Sequence, residues 1–365
     1  MLKESVDNLI AESGRIRAAW LGRVSGCLLG KPVEVLSFQE GRTGLLRYLD
    51  QANALPLNDY VPLLEGSVVA ERGKDTCRGR FDRAHPDDDI NYTVLALMLL
   101  EEHGLALSTE DVARAWLKYV PAGTTWTAER FAYRTLLDRM SDEFVNGAEP
   151  GFDLSECSYN DYNDWIGAQI RADLYGWVCP GRPALAAELA LRDARLSHRG
   201  DGVYAAMFIA ALAASIPVAC DLDEAMRMAL HEIPPTSRAA DAVMLGLDLC
   251  NADDAVEQMH DHYGDLPPVH ALNNLSVVVW ALCSSNGDFS KAIGNAVTAG
   301  WDTDCNGATT GGLFGLTGQP IPAHWTQPWH GRIGVDLAGI GELNVDDLVQ
   351  RTIAVARMLE RGNPS

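Results

Sequence analysis

Residues 299–316, AGWDTDCNGATTGGLFGL, join a pair of carboxylates to a run of small and apolar side chains. Within this stretch Gly307, Gly311 and Gly315 recur at a spacing of four, which places them on one face of a helix. Each glycine costs a helix roughly 1 kcal/mol relative to alanine, so such a row is usually offset by close backbone approach to a neighbour. The stretch therefore predicts a central, tightly packed helix.

A second row of glycines lies near the start of the chain, at Gly22, Gly26 and Gly30. It predicts another closely packed helix, which Gly30 can close and which Pro32 prevents from continuing. Glu34 is then expected on a loop that leaves the helix, where it could act as an acid or a base. The alternative is an ordinary surface carboxylate.

Two acidic runs each precede an apolar stretch: Asp87-Asp88-Asp89 before residues 92–100, and Asp302 with Asp304 before residues 308–316. Carboxylates this dense repel one another unless a cation neutralises them, and Mg²⁺ and Ca²⁺ prefer oxygen ligands. Taken alone, either run is typical of a solvated helix cap. Because both precede helices predicted to be buried, we expect the two runs to converge on one cation site.

Proline and glycine punctuation separates a series of helical patterns, and alternating β-branched runs are nearly absent, so the sequence predicts an all-α protein. The predicted helices include residues 108–120, 183–195, 203–215, 222–232, 237–248 and 287–298. Residues 41–85 are predicted as an irregular lobe or flap. Residues 327–345 are predicted as a glycine-rich excursion before a last helix.

Composition limits the classes of protein that fit. The chain has 365 residues with 47% hydrophobic content, enough to fill a sizeable core. Its formal net charge of −21 argues against a nucleic-acid surface, which needs clustered lysine and arginine. No secretory core or membrane span is recognisable, and eight scattered cysteines without a Cys-x-x-Cys pair are typical of reduced thiols in a cytoplasm. The oligomeric state is left open.

Three segments in register resemble the ADP-ribosylglycohydrolase family: residues 22–34, residues 87–93 and residues 300–304. Two further stretches agree, residues 166–171 with the family's Gly-Ala-x-Met-Arg and residues 196–198 with its Leu-Thr-His. The resemblance extends over roughly residues 15–325. It implies that residues 1–365 form a single domain of that type, an all-α, compact orthogonal helical bundle with a metal cleft.

The resemblance also implies a chemistry, the hydrolysis of the glycosidic bond at the anomeric carbon of an ADP-ribosyl group. It implies two Mg²⁺ ions, with Ca²⁺ or Mn²⁺ as alternatives, and a small-molecule or protein-linked ADP-ribosyl or ribosyl substrate. Glu34, Asp88 and Asp302 are the expected catalytic residues. The expected metal ligands are Asp87, Asp88, Asp89, Asp302 and Asp304.

The chain departs from the family pattern at four positions. It has Asp87 where the family usually has threonine, Cys27 where it has aspartate, Trp301 where it has glycine and Cys305 where it has threonine. Placing Pro86 at the threonine position is the alternative register, but it matches the following residues less well. A carboxylate is thus gained and a hydroxyl ligand is replaced by a thiol, a poor partner for a hard cation.

Five further residues are predicted to contact the substrate. His198 and Arg199 precede an apolar helix and can present donors to a phosphate, although His198 could instead fill a polar niche. Trp165 lies in an aromatic loop that could stack on adenine or ribose, or merely anchor that loop. Gly167 belongs to the matching stretch at residues 166–171, and Trp301 is expected to restrict the substrate from beside the ligands.

Three functions remain open on this reasoning. The first is a metal-dependent glycohydrolase acting on an ADP-ribosyl or smaller ribosyl group. The second is a metal-dependent phosphoester hydrolase, since a dinuclear carboxylate centre also suits in-line displacement. The third is a catalytically silent ADP-ribose or nucleotide-binding relative, for which Cys27 and Cys305 are the motivation.

Overall fold

A computed structural model describes the backbone of residues 2–361 and the side chains of residues 13–361. Its α-helices are α1 (Leu2–Gly30), α2 (Glu34–Gln51), α3 (Val68–Arg72), α4 (Asp88–His103), α5 (Thr109–Tyr119), α6 (Thr127–Arg139), α7 (Asp173–Trp177), α8 (Pro183–Ala194) and α9 (Gly200–Ser215). They continue with α10 (Leu222–Leu230), α11 (Arg238–Asp248), α12 (Ala255–Tyr263), α13 (Ala271–Ser284), α14 (Phe289–Thr298), α15 (Thr303–Gly315), α16 (Ala323–Thr326) and α17 (Val345–Arg361).

Non-α elements are short. Turns of 3₁₀ helix occupy Lys31–Val33, Lys74–Thr76, Gly104–Ala106, Ala122–Thr124, Phe144–Asn146, Leu154–Ser158, Ile166–Arg171 and Gln327–Trp329. Strands β1 (Arg332–Gly334) and β2 (Glu342–Asn344) pair antiparallel, with Ile333 opposite Leu343. The predicted all-α class is confirmed. In the described part of the chain, no helix is both long and apolar enough to cross a bilayer.

Helices α1 and α15 lie together at the centre, because their glycine rows face each other. A Cβ atom added at Gly26 would lie 1.9 Å from the carbonyl oxygen of Gly307, and one at Gly22 would lie 2.1 Å from that of Gly311. Every residue of α15 is buried. The predicted close backbone approach is confirmed, and it holds the start of α15 beside the end of α1.

We expect Gly26→Ala to destabilise the protein severely, because the new methyl group would overlap a backbone carbonyl that cannot rotate away. The loss in the free energy of unfolding should reach or exceed the upper end of the roughly 1–3 kcal/mol typical of overpacking. Gly14→Ala is the matched control on the same helix, since its Cβ would meet nothing within 4 Å. Chemical denaturation should show Gly14→Ala unchanged or stabilised by about 0.5–1 kcal/mol. Equal stability of the two variants would contradict the packing account.

The six helices predicted between residues 108 and 298 are present with boundaries shifted by three residues or fewer, while the buried helices predicted at 92–100 and 308–316 begin earlier, at Asp88 and Thr303. Two regions differ from expectation. Residues 41–51, predicted as part of an irregular lobe, continue α2 beyond a kink at Gly41, where φ is 64°. Glu34, predicted on a loop, is the first residue of α2, because the chain turns through only Lys31–Val33 before it becomes helical again. Residues 327–345 do contain the predicted excursion, with the β1–β2 pair inside it.

Candidate metal centre

The two acidic runs lie at the N-termini of two buried helices. Asp87 caps α4, its side chain accepting a hydrogen bond from the Asp89 backbone N–H at 3.0 Å. Asp302 occupies the cap position of α15 without a side-chain capping bond. The positive end of a helix dipole favours carboxylates at both places. Ligand atoms of Asp89, Asp304 and Cys305 lie within 4.8 Å of one another, so the structure brings the two runs together.

A carboxylate from a third element joins them. Glu34, at the start of α2, offers an oxygen within 4.8 Å of oxygens from Asp302 and Asp304. The position of α2 follows from α1, because Gly30 packs so closely on α15 that an added Cβ would lie 2.2 Å from the Thr303 carbonyl oxygen. Three carboxyl groups from the starts of two helices therefore converge.

Unpartnered oxygens in this cluster fit a hard cation. Oδ1 of Asp302 and Oδ2 of Asp89 are buried, and neither has a hydrogen-bond partner in the described chain. A buried carboxylate oxygen without a partner is costly, on the order of several kcal/mol for an ionised group. Oxygen ligands that converge in this way are what Mg²⁺, Ca²⁺ and Mn²⁺ require. The residues present therefore fit the cation site expected from the sequence.

The electrostatics of the cluster point the same way. Burial, reinforced by neighbouring carboxylates, raises the pKa of five carboxyl groups above their usual range: Glu34, Asp88, Asp89, Asp302 and Asp304. Asp87 is the exception: burial acts to raise its pKa, but the Lys31 ammonium and the hydrogen bonds from Lys31 and Asp89 together lower the pKa of Asp87. A bound cation would favour the ionised form of all these groups.

Arg23 holds Asp89 in place, a role that the sequence reasoning missed. Its guanidinium is fully buried, donates to the Asp89 carbonyl at 2.8 Å and lies 3.3 Å from the Asp89 carboxylate. It also pairs with Asp173 at 3.0 Å. An arginine inside a glycine-rich, otherwise apolar helix segment is the signal that could have revealed it.

Asn274 positions the other acidic run. Its side-chain oxygen accepts hydrogen bonds from the Asp302 backbone N–H at 3.3 Å and from the Asn306 amide at 2.8 Å. The same residue donates to the backbone carbonyl of His270 at 2.8 Å. His270 itself caps α13, accepting from the Leu272 backbone N–H at 3.2 Å. Helix α13 therefore fixes the turn that carries Asp302.

Four of the expected site carboxylates, those of Glu34, Asp88, Asp302 and Asp304, line a cleft of about 600 Å³ with apolar and aromatic walls. Asp87 and Asp89 are not among the lining residues. Trp165 and Gly167, both predicted from the sequence, also line the cleft. A Cβ atom at Gly167 would lie 2.1 Å from Oε1 of Glu129, so glycine is required for the buried Glu129 to reach this wall. The other lining residues are Lys31, Val35, Phe38, Trp126, Thr127, Glu129, Ile166, Ile170, Pro268, Val269 and Cys305.

His198 and Arg199 do not line this cleft. His198 is buried, with Nδ1 2.8 Å from the Ser197 hydroxyl, while Arg199 lies over the ring of Tyr159 at 3.7 Å. Both border a separate cleft of about 710 Å³, where none of the metal-ligand groups found in the described chain lies. His198 approaches the carboxylate cleft only through Glu129, at 3.9 Å.

Trp301 is also absent from the lining of the cleft. It adopts φ of 57°, is only 8% exposed and stacks on the ring of His260, with centroids 3.9 Å apart. The left-handed backbone conformation directs the indole toward α12, whereas the sequence predicts that it lies beside the substrate. Glycine would suit this φ better, so the indole is retained at a conformational cost by its packing.

Trp301→Gly is therefore expected to lower stability and to leave the ranking of substrates unchanged. Loss of a buried indole costs about 3–5 kcal/mol, of which relief of the positive φ returns roughly 1–2 kcal/mol. Denaturant unfolding measures the net loss, and activity on ribosyl and ADP-ribosyl compounds of different size measures the ranking. A folded variant that gains activity on larger substrates would show that Trp301 does restrict the substrate and would contradict this expectation.

Comparisons with known proteins were consistent with one family. Residues 9–358 match the family model of ADP-ribosylglycohydrolase. Among solved structures, the chain is similar to an "ADP-ribosylglycohydrolase-related protein complex", with a TM-score of 0.53 and 20% identity over 95% of this chain and 99% of that one. No curated protein matches the sequence significantly. The structural likeness, at this identity, concerns the fold.

Proposed function

Since the chain belongs to the ADP-ribosylglycohydrolase family, we propose that it is a metal-dependent hydrolase that cleaves the glycosidic bond at C1″ of an ADP-ribosyl or related ribosyl group. The observation that carries the proposal is the convergence of Glu34, Asp302 and Asp304 at the base of a cleft with aromatic walls. The family supplies the glycohydrolase class, and the cleft supplies the reason to expect a cation.

In this proposal the carboxylates divide the work. Asp302 and Asp304, with Asp88 and Asp89 nearby, hold the cation, which when bound orients the ribose hydroxyls and lowers the pKa of coordinated water. Glu34 is the acid or base. Burial and the neighbouring Asp304 raise the pKa of Glu34 above its usual range, which is the direction that a general acid needs. Glycoside hydrolysis needs one group for the leaving atom and another for the water.

The walls fit a nucleotide-like substrate. Trp126 is 56% exposed, Phe38 is 36% exposed, and both line the cleft with Trp165. Aromatic faces of this kind stack on purine or ribose rings. The chain's net charge of −21 repels a pyrophosphate, so the Lys31 ammonium and the bound cation are the local positive charges available to meet it.

Mg²⁺ is the proposed cation, with Ca²⁺ and Mn²⁺ as alternatives, because Asp302 and Asp304 offer only carboxylate oxygens. All eight cysteines are free, in keeping with reduced thiols, and we place the protein in the cytoplasm. We further propose a single domain over residues 1–365, for which a continuous apolar core reaching from α1 to α17 is the support.

Product analysis tests the proposed bond cleavage. ADP-ribosylated arginine and serine compounds are incubated with the protein, with Mg²⁺ or with a chelator, and products are identified by mass spectrometry. We expect intact ADP-ribose and the free acceptor, formed only with the cation. Release of AMP would instead indicate a phosphoester hydrolase. Binding of ADP-ribose without any product would indicate a silent relative.

A further inference from the structure

We propose that the cleft binds one divalent cation, and that the Lys31 ammonium is a built-in second positive charge that takes the place of another ion. The inference rests on the proposed metal dependence and goes beyond it. It concerns the number of ions, for which the sequence resemblance implies two.

Both oxygens of Asp87 are already engaged by protein donors. Its Oδ2 accepts from the Lys31 ammonium, and its Oδ1 accepts from the Asp89 backbone N–H at 3.0 Å. The Asp87 side chain is 1% exposed, so no water competes for these oxygens. The Lys31 ammonium neutralises the Asp87 carboxylate, so Asp87 attracts a cation less strongly than an unpaired carboxylate does.

The remaining ligand groups favour one ion for a second reason. Three clusters of metal-ligating side chains occur among the described residues: Cys27 with Asp87 and Asp89, Asp89 with Asp304 and Cys305, and Glu34 with Asp302 and Asp304. The first two each include a thiol, and the first also uses the engaged Asp87. A thiol is a poor ligand for Mg²⁺ or Ca²⁺. Only the third is made entirely of oxygens, and its Asp302 Oδ1 is buried and unpartnered. Asp89, whose Oδ2 is also buried and unpartnered, belongs to the other two, where with Asp87 engaged no more than one further carboxylate lies beside the thiol.

Lys31 is held where a cation would act. It follows Gly30, whose backbone touches Thr303, and it precedes Pro32 in the turn that leads to Glu34. Its side chain is 29% exposed and lines the same cleft as Glu34, Asp302 and Asp304. The ammonium is thus attached to the turn between α1 and α2, and it lines the same cleft as the all-oxygen cluster.

The number of bound ions tests this inference. Purified full-length protein is saturated with Mn²⁺, and bound Mn²⁺ is counted by calorimetry and by elemental analysis after removal of free ion. Electron paramagnetic resonance then distinguishes isolated from spin-coupled Mn²⁺. We compare the natural protein with Lys31→Met, which keeps the length of the side chain without its charge, and with Lys31→Arg, which keeps the charge. Lys118→Met is the control, because Lys118 is exposed and outside the cleft.

We expect one isolated Mn²⁺ per chain in the natural protein, in Lys31→Arg and in Lys118→Met. Lys31→Met should bind two, with a spin-coupled signal, since an oxygen of Asp87 is then free to join the unpartnered Oδ2 of Asp89 at a second ion. Two ions in the natural protein, or one ion in a folded Lys31→Met, would overturn the inference. These counts are independent of catalysis. One bound ion without hydrolysis would support the inference and refute the proposed function. Two bound ions with hydrolysis would refute the inference and support the proposed function.

Discussion

Asp302→Ala is expected to lose both cation binding and hydrolysis, the latter by roughly a thousandfold, or about 4 kcal/mol of transition-state stabilisation. The reason is geometric: Asp302 supplies an oxygen to the all-oxygen cluster, and its buried Oδ1 has no hydrogen-bond partner among the described residues. Calorimetric titration with Mg²⁺ and the rate of product release measure the two losses separately.

Asp288→Ala is the matched control for this experiment. Asp288 also occupies a helix cap, where it accepts from the Lys291 backbone N–H at 2.9 Å, but it lies outside the cleft. Its replacement should cost about 1 kcal/mol of stability and leave cation binding intact. If Asp302→Ala also kept its affinity for Mg²⁺, the proposed ligand set would be wrong.

Glu34→Gln is expected to keep cation binding within a few fold of the natural protein while hydrolysis falls by roughly 10²–10⁴. Glutamine retains a side-chain oxygen that can face the cation, but it cannot donate or accept a proton as a carboxyl group does. Calorimetry again measures the ion, and turnover under saturating Mg²⁺ measures the chemistry.

Glu40→Gln is the control for this variant, since Glu40 lies on the same helix, is exposed and does not line the cleft. It should match the natural protein in both measurements. A loss of Mg²⁺ in Glu34→Gln as large as that in Asp302→Ala would show that Glu34 acts as a ligand and would contradict the division of roles.

The sequence predicted the centre of the fold because the signals there are local. A glycine every fourth residue at Gly22, Gly26 and Gly30 has few explanations other than close helix contact, and the facing row on α15 provides that contact. The convergence of the two acidic runs could be predicted as well, because each run begins a helix whose apolar sequence indicates burial. Helix boundaries were also accessible, since caps and prolines mark them.

The parts that the sequence did not reveal depend on tertiary contacts. Nothing local pairs Lys31 with Asp87, 56 positions away. The direction in which the Trp301 side chain points depends on its φ of 57°, a conformation that is uncommon for a tryptophan. Pro32 predicts the end of helical structure and hence a loop at Glu34, whereas the chain becomes helical again at Glu34 after a short turn. His198 is remote from the carboxylates because Glu129 and Arg171 lie between them.

A crystal structure with Mn²⁺ and ADP-ribose tests the central claim most directly, because anomalous scattering locates the ion without assumption. The account predicts an anomalous peak at about 2.0–2.6 Å from carboxylate oxygens of Asp302 and Asp304, with ribose hydroxyls at the ion. It also predicts that the adenine lies against the aromatic wall that contains Trp165. An ion bound elsewhere, or ADP-ribose bound away from Asp302 and Asp304, would contradict it.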